Sequence, residues 1–223
     1  MKKTLKRLIL SAVPSAWILA KTQSMSDSIA LTFDDGPHPI NTPRILDILK
    51  GYNAKATFFL VGECVERHPE ICKRMIAEGH DIGGHGQTHR ILRHIPINEI
   101  RREIETSFET IRRCVGIDTR LFRPPHGKLG IGLLFYTVRH GITTVLWSIS
   151  PDDWLETKKP DEILGDINRG FRGGDIVLLH DVMDTIVEML PRLMETFKKK
   201  GIRFVKTSEM LGLSNPLDSR HCL

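Results

Sequence analysis

The chain has 223 residues, of which 40% are hydrophobic and 26% are charged, and its formal net charge is +5. This length allows one sizeable domain with a large core, and the composition is ordinary for a globular protein. The excess positive charge lies mostly at the amino terminus and in a lysine run at 198–200. No basic stretch is interleaved with aromatic residues, so nucleic-acid binding is not predicted.

The amino-terminal segment, residues 1–25, begins with basic residues and continues with an apolar stretch over 8–20. This pattern is similar to a signal peptide, but Pro14 interrupts the stretch and no A-x-A cleavage site follows it. The stretch is also too short for a membrane span. We therefore expect an amphipathic helix packed on the domain, with an export signal as the alternative. Residues 1–24 would bring the protein close to a membrane surface, and a cytoplasmic or membrane-associated location is favoured over export.

Apolar strand candidates alternate with helical patterns between residues 26 and 212. The strand candidates cover residues 29–33, 56–61, 81–83, 120–123, 142–149, 176–179 and 202–205. Helices are predicted over residues 43–50, 69–78, 97–115, 160–169 and 185–199. This alternation predicts a single α/β domain with a mostly parallel sheet, followed by a tail at 213–223. Periodicity alone does not decide between a closed barrel and an open sheet.

Local patterns also predict how two of the helices begin. Thr42 is expected to cap the first helix, with Pro43 at its first position. Thr185 and Glu188 form a capping-box pattern for the last helix. Pro191 lies within that helix and is expected to kink it or to delay its start.

The cysteines show no C-x-x-C spacing, which argues against a zinc knuckle or a thioredoxin-like motif. The four residues are Cys64, Cys72, Cys114 and Cys222. A chain of this length does not need disulfides for stability, so we expect reduced thiols in a reducing compartment.

Polar side chains follow five of the predicted strands, at the point where each strand ends. They are Asp34 with Asp35, His85 with His89, Arg123, Asp152 with Asp153 and Trp154, and His180 with Asp181. In parallel α/β folds, binding and catalytic sites form at the carboxyl ends of the strands. We therefore expect these side chains to share one site.

The first strand end carries two adjacent carboxylates, Asp34 and Asp35, whose charges repel each other. On a regular strand, neighbouring side chains point to opposite faces, so the two can serve one site only if the chain leaves strand geometry there. Gly36 and Pro37 supply a turn at that point. We expect a cation, helped by Arg123, to offset the repulsion.

The second strand end carries His85 and His89, which are four residues apart. On a helical turn this spacing places both imidazoles on one face. Two surface histidines are the simpler interpretation, but an aspartate at another strand end would complete a set for a catalytic divalent metal with a position open to water. Zinc is the default metal for two histidines and one aspartate, and cobalt and manganese are the alternatives.

The remaining strand ends each have a structural alternative. In "FRPPHGK" the two prolines lack amide hydrogens, so the first amides free to bind an anion are those of His126 and Gly127, unless the segment is only a rigid turn. His180 ends an apolar strand and is either a proton-transfer group or a satisfied core histidine. The segment 152–154 is either part of the site or a turn with a packed indole.

Five motifs occur in a fixed order along the chain. They are "TFDDGP" (32–37), "HGQTH" (85–89), "RPPHG" (123–127), "PDDW" (151–154) and "LLH" (178–180). Together they resemble the motifs of the NodB-homology polysaccharide deacetylases, the family-four carbohydrate esterases, over about residues 28–210. The resemblance implies a distorted (β/α) barrel of about seven parallel strands in a single domain. It also implies metal-dependent hydrolysis of the N-acetyl group of an N-acetylated sugar in a poly- or oligosaccharide, with release of acetate.

The resemblance also implies a role for each matched catalytic residue. Asp34 would be the base, and Arg123 would steer it. His180 would be the general acid, and Asp153 would support it. The acid and the base would then serve opposite halves of amide hydrolysis.

The other matched residues would bind the metal and the glycan. The implied metal ligands are Asp35, His85 and His89. The backbone amide of His126 would bind the oxyanion, Trp154 would line the groove, and Leu178 would contact the acetyl methyl group.

The motifs depart from the family pattern at four positions: Ser150, Gly86, Arg90 and His126 stand where an acid, a serine or threonine, a proline and an aromatic residue are usual. None of the departures changes an implied metal ligand, and we expect them to affect substrate preference. Two other functions fit the same scaffold, namely hydrolysis of another acyl bond, such as an O-acetyl ester, and glycan binding without catalysis. Chitin oligomers, peptidoglycan and a lipid-linked intermediate all remain open as the glycan.

Overall fold

The computed structural model describes residues 17–213 of the chain. The strands in this range are β1 (Ile18–Leu19), β2 (Ser28–Asp34), β3 (Thr57–Leu60), β4 (Asp81–Gly84), β5 (Leu121–Phe122), β6 (Thr143–Val145), β7 (Asp175–His180) and β8 (Arg203–Val205). The helices in the same range are α1 (Asn41–Gly51), α2 (Gly62–Arg67), α3 (Pro69–Ala77), α4 (Ile97–Val115), α5 (Ile131–Arg139), α6 (Pro160–Gly170), α7 (Asp184–Lys199) and α8 (Thr207–Met210), with a 3-10 turn at Pro125–Gly127.

The named strands pair in parallel in the order β1-β6-β5-β4-β3-β2-β7, and β8 also pairs with β2. A further parallel bridge joins Ile149, beyond the end of β6, to Val177 in β7. The bridge brings the segment after β6 against the strand at the other side of the sheet. The sheet therefore curls into a distorted (β/α) barrel, and the predicted fold class is confirmed.

Strand β2 pairs with three other strands, and all seven of its residues are buried. It is flanked by β3 and β7, and Phe33 stacks on Phe58 of β3 with ring centroids 5.1 Å apart. A strand buried on both faces is expected to be an almost continuous apolar run, as "SIALTF" is. The register places Asp34 opposite His180 of β7, so the last residues of the two strands are neighbours at the same edge.

The predicted elements are largely confirmed, but the edge of the sheet differs from expectation. The strand expected at 142–149 is regular only over Thr143–Val145, because the chain then turns toward β7. Ile18 and Leu19 form β1 and pair with β6, so this part of the amino-terminal segment is a strand and not a helix. Residues 1–16, which hold the rest of the expected helix or export signal, and the tail from 214 lie outside the described residues, and the domain limits stay predictions.

Helices α2, α5 and α8 were not expected from the sequence. Helix α2 has only six residues, and α8 has only four, which is too short for a periodic pattern. Helix α5 leaves Ile131 90% exposed and Phe135 67% exposed, so apolar residues occur on both of its faces and obscure the amphipathic period.

Both predicted cap assignments were wrong. Helix α1 begins at Asn41, and the hydroxyl of Thr42 accepts a hydrogen bond from the amide of His38 and donates to the carboxylate of Asp181. Helix α7 begins at Asp184, and the hydroxyl of Thr185 is buried without a partner among the described residues. Tertiary contacts therefore outweigh the local capping patterns at both ends.

Helix α7 continues through Pro191 to Lys199, so the proline does not delay its start. Cys64, Cys72 and Cys114 are free thiols, and Cys222 lies beyond the described range. Among the helices of residues 17–213, none is both long enough and apolar enough to cross a membrane.

Candidate active site

The predicted site residues meet at one rim of the barrel. Each of the strands β2, β4 and β7 ends there, and the segments after β5 and β6 reach the same rim. Because the strands are parallel, their carboxyl ends lie at one edge of the sheet. Side-chain contacts and strand pairing join all five motif segments at this rim.

The two adjacent aspartates face the same histidine. Oδ2 of Asp34 lies 3.7 Å from Nε2 of His85, and Oδ1 of Asp35 lies 3.4 Å from the same nitrogen. Asp35 adopts a left-handed backbone conformation with φ of 75°, so the strand alternation ends there. A Cβ atom at Gly36 would lie 2.0 Å from Oδ2 of Asp181, and therefore only glycine fits the turn.

The candidate metal site consists of Asp35, His85 and His89, whose ligand atoms all lie within 4.8 Å of one another. Nε2 of His89 lies 3.1 Å from Oδ1 of Asp35. The two histidines lie on an irregular loop after β4, and not on the helical turn that their spacing suggested. In this loop His89 itself has a left-handed conformation, with φ of 60°.

The arrangement of lone pairs fits a divalent metal ion. Nδ1 of His85 lies 2.7 Å from the carbonyl oxygen of Arg123, which can only accept, so Nδ1 carries the ring hydrogen and Nε2 presents a lone pair to Asp35. Oδ1 of Asp35 is buried and has no hydrogen-bond partner among the described residues.

Arg123 is completely buried beside the base candidate. Its Nη1 donates to Oδ1 of Asp34 and to the hydroxyl of Thr32, both at 2.7 Å. Its other nitrogens donate to the carbonyls of Val145 and Leu146, at 3.1 Å and 3.0 Å. Burial lowers the pKa of Arg123, and the charge and hydrogen bond of Asp34 oppose that shift. The guanidinium therefore fixes one oxygen of Asp34 and leaves the other on the side of His85.

Thr32 is a site residue that the sequence did not identify. Its hydroxyl donates to the carbonyl of Val177 at 2.6 Å while it accepts from Arg123. The available signal was a polar residue within an otherwise apolar strand, at the same strand face as Asp34.

The candidate acid, His180, is held by a buried aspartate. Nδ1 of His180 lies 3.0 Å from Oδ1 of Asp153, and the amide of His180 donates to Oδ2 of Asp153 at 2.7 Å. Burial of the imidazole opposes protonation, but the bond and charge of Asp153 outweigh it and raise the pKa of His180 to about 9. His180 therefore carries a proton near neutral pH.

The "RPPHG" turn offers one free amide and not two. The amide of Gly127 donates to the carbonyl of Pro124 at 2.9 Å, whereas the amide of His126 has no acceptor among the described residues. A Cβ atom at Gly127 would lie 2.4 Å from the indole of Trp147, so this turn packs closely on that ring. The imidazole of His126 lies beside that of His89, with ring centroids 4.8 Å apart.

The remaining predicted contacts lie near the acid. Leu178 is two residues before His180 on β7, so both side chains point to the same face of the sheet. Trp154 follows Asp153 directly and is 56% exposed. An exposed indole at the rim and a buried leucine below it are consistent with the predicted groove and acetyl contacts, which stay predictions.

The fold and the chemistry of its rim define the class of protein: a (β/α)-barrel hydrolase with a candidate metal site. A family model described as polysaccharide deacetylase matches residues 21–145. The chain belongs to this family, and the curated relatives described next are hydrolases that act on carbon–nitrogen bonds.

Relatives and solved structures support the same assignment. A peptidoglycan-N-acetylglucosamine deacetylase of Bacillus cereus is 34% identical over 203 residues, which span 89% of this chain and 94% of the relative. A chitooligosaccharide deacetylase of Bradyrhizobium is 39% identical over 155 residues, which span 69% of this chain and 70% of the relative. A crystal structure of a peptidoglycan N-acetylglucosamine deacetylase in complex with an N-oxidanyl-benzamide ligand matches with a TM-score of 0.83 at 34% identity, and the match covers 88% of this chain and 92% of that one.

Proposed function

We propose that this chain hydrolyses the N-acetyl group of an N-acetylated amino sugar within a glycan and releases acetate, with Asp34 as base and His180 as acid. The observation that carries the proposal is the meeting of both groups with the Asp35, His85 and His89 cluster at one rim of the barrel. Asp34 and His180 occupy paired positions on adjacent strands, so a substrate at the rim would lie within reach of both.

Asp34 is suited to accept a proton. Arg123 holds Oδ1, and Oδ2 faces the metal cluster, where the attacking water would lie. A divalent ion held by the cluster would polarise the acetamide carbonyl and lower the pKa of the attacking water. Asp34 then needs only to take that proton as the oxygen bonds to the carbonyl carbon.

Two further groups complete the hydrolysis. The free amide of His126 would donate a hydrogen bond to the carbonyl oxygen as it gains negative charge, and one such donor typically contributes about 3 kcal/mol. Protonated His180 would donate to the nitrogen as the carbon–nitrogen bond breaks, so that the sugar leaves as an amine and the acyl group as acetate. Without that proton the amine is a poor leaving group.

The same observations bear on the alternative functions. A catalytically silent glycan-binding protein would be expected to lack the base, the acid or a metal ligand, whereas this chain has all of these residues at one rim of the barrel. Hydrolysis of an O-acetyl ester would use the same groups, so substrate comparison distinguishes it. The relatives are named for peptidoglycan N-acetylglucosamine and for chitooligosaccharides, and we therefore propose an N-acetylglucosamine-containing glycan as the substrate. We propose zinc as the metal because two histidines and one carboxylate are a usual zinc ligand set.

Acetate release tests this function directly. The purified protein is expected to release acetate from peptidoglycan fragments or chitooligosaccharides more rapidly than from O-acetylated xylan. Chelation should abolish the release, and zinc, cobalt or manganese should restore it to different extents. Release only from the O-acetylated polymer would refute the amide assignment, and full activity after exhaustive chelation would refute the role of the metal.

The ion pair between His180 and Asp153 predicts the pH dependence. The alkaline limb of kcat/KM is expected where His180 loses its proton, near its pKa of about 9. Asp153→Asn removes the charge that raises this pKa, so the limb should move to lower pH, by about one to three units. Asp152→Asn, at the adjacent and exposed carboxylate, is the control and should leave the limb in place. An unchanged limb in Asp153→Asn would exclude His180 as the titrating acid.

A further inference from the structure

The loop that carries the two histidines is held in an unusual conformation by groups outside the metal cluster. Gly86 and His89 both have left-handed backbones, with φ of 82° and 60°. This conformation is uncommon for residues other than glycine and costs free energy, so the surroundings of His89 must stabilise it. The position of His89 therefore depends on what fixes the loop between residues 86 and 89.

One side of this loop is fixed by helix α2. The amides of Gly62 and Glu63, at the start of that helix, donate to the carbonyls of Gly86 and Gln87, both at 3.0 Å. These bonds engage the carbonyl groups of the loop. The amide groups of Gln87 and Thr88 need hydrogen-bond acceptors from elsewhere.

The other side is fixed by a single carboxylate on helix α4. Oε2 of Glu103 accepts from the amides of Gln87 and Thr88, at 2.9 Å and 3.0 Å, and Oε1 accepts from the hydroxyl of Thr88 at 2.8 Å. Hydrogen bonds to an ionised acceptor are stronger than those between neutral groups. Glu103 therefore holds the residue directly before His89 by both its main chain and its side chain.

The neighbouring residues are consistent with this arrangement. A Cβ atom at Gly86 would lie 3.2 Å from Oε2 of Glu103, so a side chain at 86 would crowd the carboxylate. Arg90, directly after His89, pairs with Glu99 one helical turn before Glu103. Two of the positions that depart from the family pattern, Gly86 in the "HGQTH" segment and Arg90 directly after it, thus lie beside acids of α4.

We infer that Glu103 is a positioning residue for the metal site, which acts by fixing the backbone of Gln87 and Thr88 and through it the imidazole of His89. The inference rests on the proposed metal-dependent function but concerns a residue that touches neither metal nor substrate. Outer groups that orient metal ligands typically change metal affinity 10- to 100-fold when they are removed. Glu103 would likewise orient a metal ligand, but it bonds to the backbone before His89 and not to the imidazole ring itself.

Zinc binding to the full-length protein, measured by competition with a chromogenic chelator, tests the inference without substrate. Glu103→Ala should raise the zinc Kd about 10- to 100-fold. Glu103→Gln keeps one acceptor oxygen and should have an intermediate Kd. Glu109→Gln removes an equal charge from an exposed position on the same helix and should bind zinc as the wild type does. Equal Kd values for Glu103→Gln and Glu109→Gln would overturn the inference, because the loss of one negative charge from the helix would then explain the whole effect on zinc binding.

Two measurements separate a positioning role from a general loss of stability and from a direct part in catalysis. The metal-free Glu103→Ala protein should keep nearly the wild-type melting temperature, and its deacetylase rate should recover toward the wild-type rate at saturating zinc. Wild-type zinc affinity in Glu103→Ala would overturn the positioning role alone. A wild-type protein that binds no zinc, cobalt or manganese would overturn the metal-dependent function, and the positioning role with it.

Discussion

Asp34→Asn is expected to lower kcat by about 10²- to 10⁴-fold, the usual contribution of general base catalysis, while zinc binding is retained. The amide of asparagine cannot accept the proton of the attacking water, and Asp34 does not belong to the set of candidate metal ligands. The measurement is acetate release at saturating metal together with a zinc titration of the same preparation.

The control for this variant is Asp27→Asn, which changes an exposed aspartate just before the same strand and should keep full activity. Asp34→Asn also weakens the partner of the buried Arg123, so its fold must be checked by circular dichroism and thermal melting. A folded, metal-loaded Asp34→Asn protein with wild-type kcat would eliminate Asp34 as the base.

Arg123→Met is expected to lower the free energy of unfolding by about 3–5 kcal/mol, because it leaves a buried carboxylate without its countercharge. The variant also frees the carbonyls of Val145 and Leu146 and the hydroxyl of Thr32 from their hydrogen bonds. Urea unfolding of the metal-free protein measures the change, and Arg120→Met, an exposed arginine three residues earlier, is the matched control.

A double variant distinguishes the ion pair from simple loss of packing. Adding Asp34→Asn to Arg123→Met removes the uncompensated charge, so the double variant should unfold at a higher urea concentration than Arg123→Met alone. If the two substitutions were strictly additive, the pair would contribute no interaction energy, and the main role of Arg123 would be to fill space between Phe59 and Trp147.

The candidate site was predictable from the sequence to a large extent because its parts lie at the ends of strands. The apolar runs before Asp34, His85 and His180 identify the strands, and parallel pairing brings their ends together without further information. The adjacent aspartates were also informative, since their repulsion requires the turn that the structure shows at Asp35.

The errors arose where the folded chain gives a group a different hydrogen-bond partner from the one that the local pattern suggests. Thr42 has the sequence context of a helix cap, but its hydroxyl serves Asp181, which is 139 residues away. Gly127 has a free amide in the sequence pattern, but the folded turn uses it internally. Glu103 lies in a helix pattern with many other charges, and only the tertiary structure distinguishes it from Glu109. The hydrogen bonds of Thr42 and Glu103 join residues far apart in sequence, and such bonds leave no periodic signal.

The short edge strand β1 limits where the amino terminus can be processed. The amide of Thr144 in β6 donates to the carbonyl of Trp17, and the amide of Leu146, directly after β6, donates to the carbonyl of Leu19. The carbonyls of Val145 and Leu146 accept hydrogen bonds from Arg123. A peptidase that cut before Trp17 would leave this arrangement whole. A cut after Leu19 would expose the edge of β6 to pairing with other chains and would loosen the strand that holds Arg123. A cut at this point would therefore disturb the buried Arg123, although Ile18 and Leu19 lie more than 100 residues before it in the sequence.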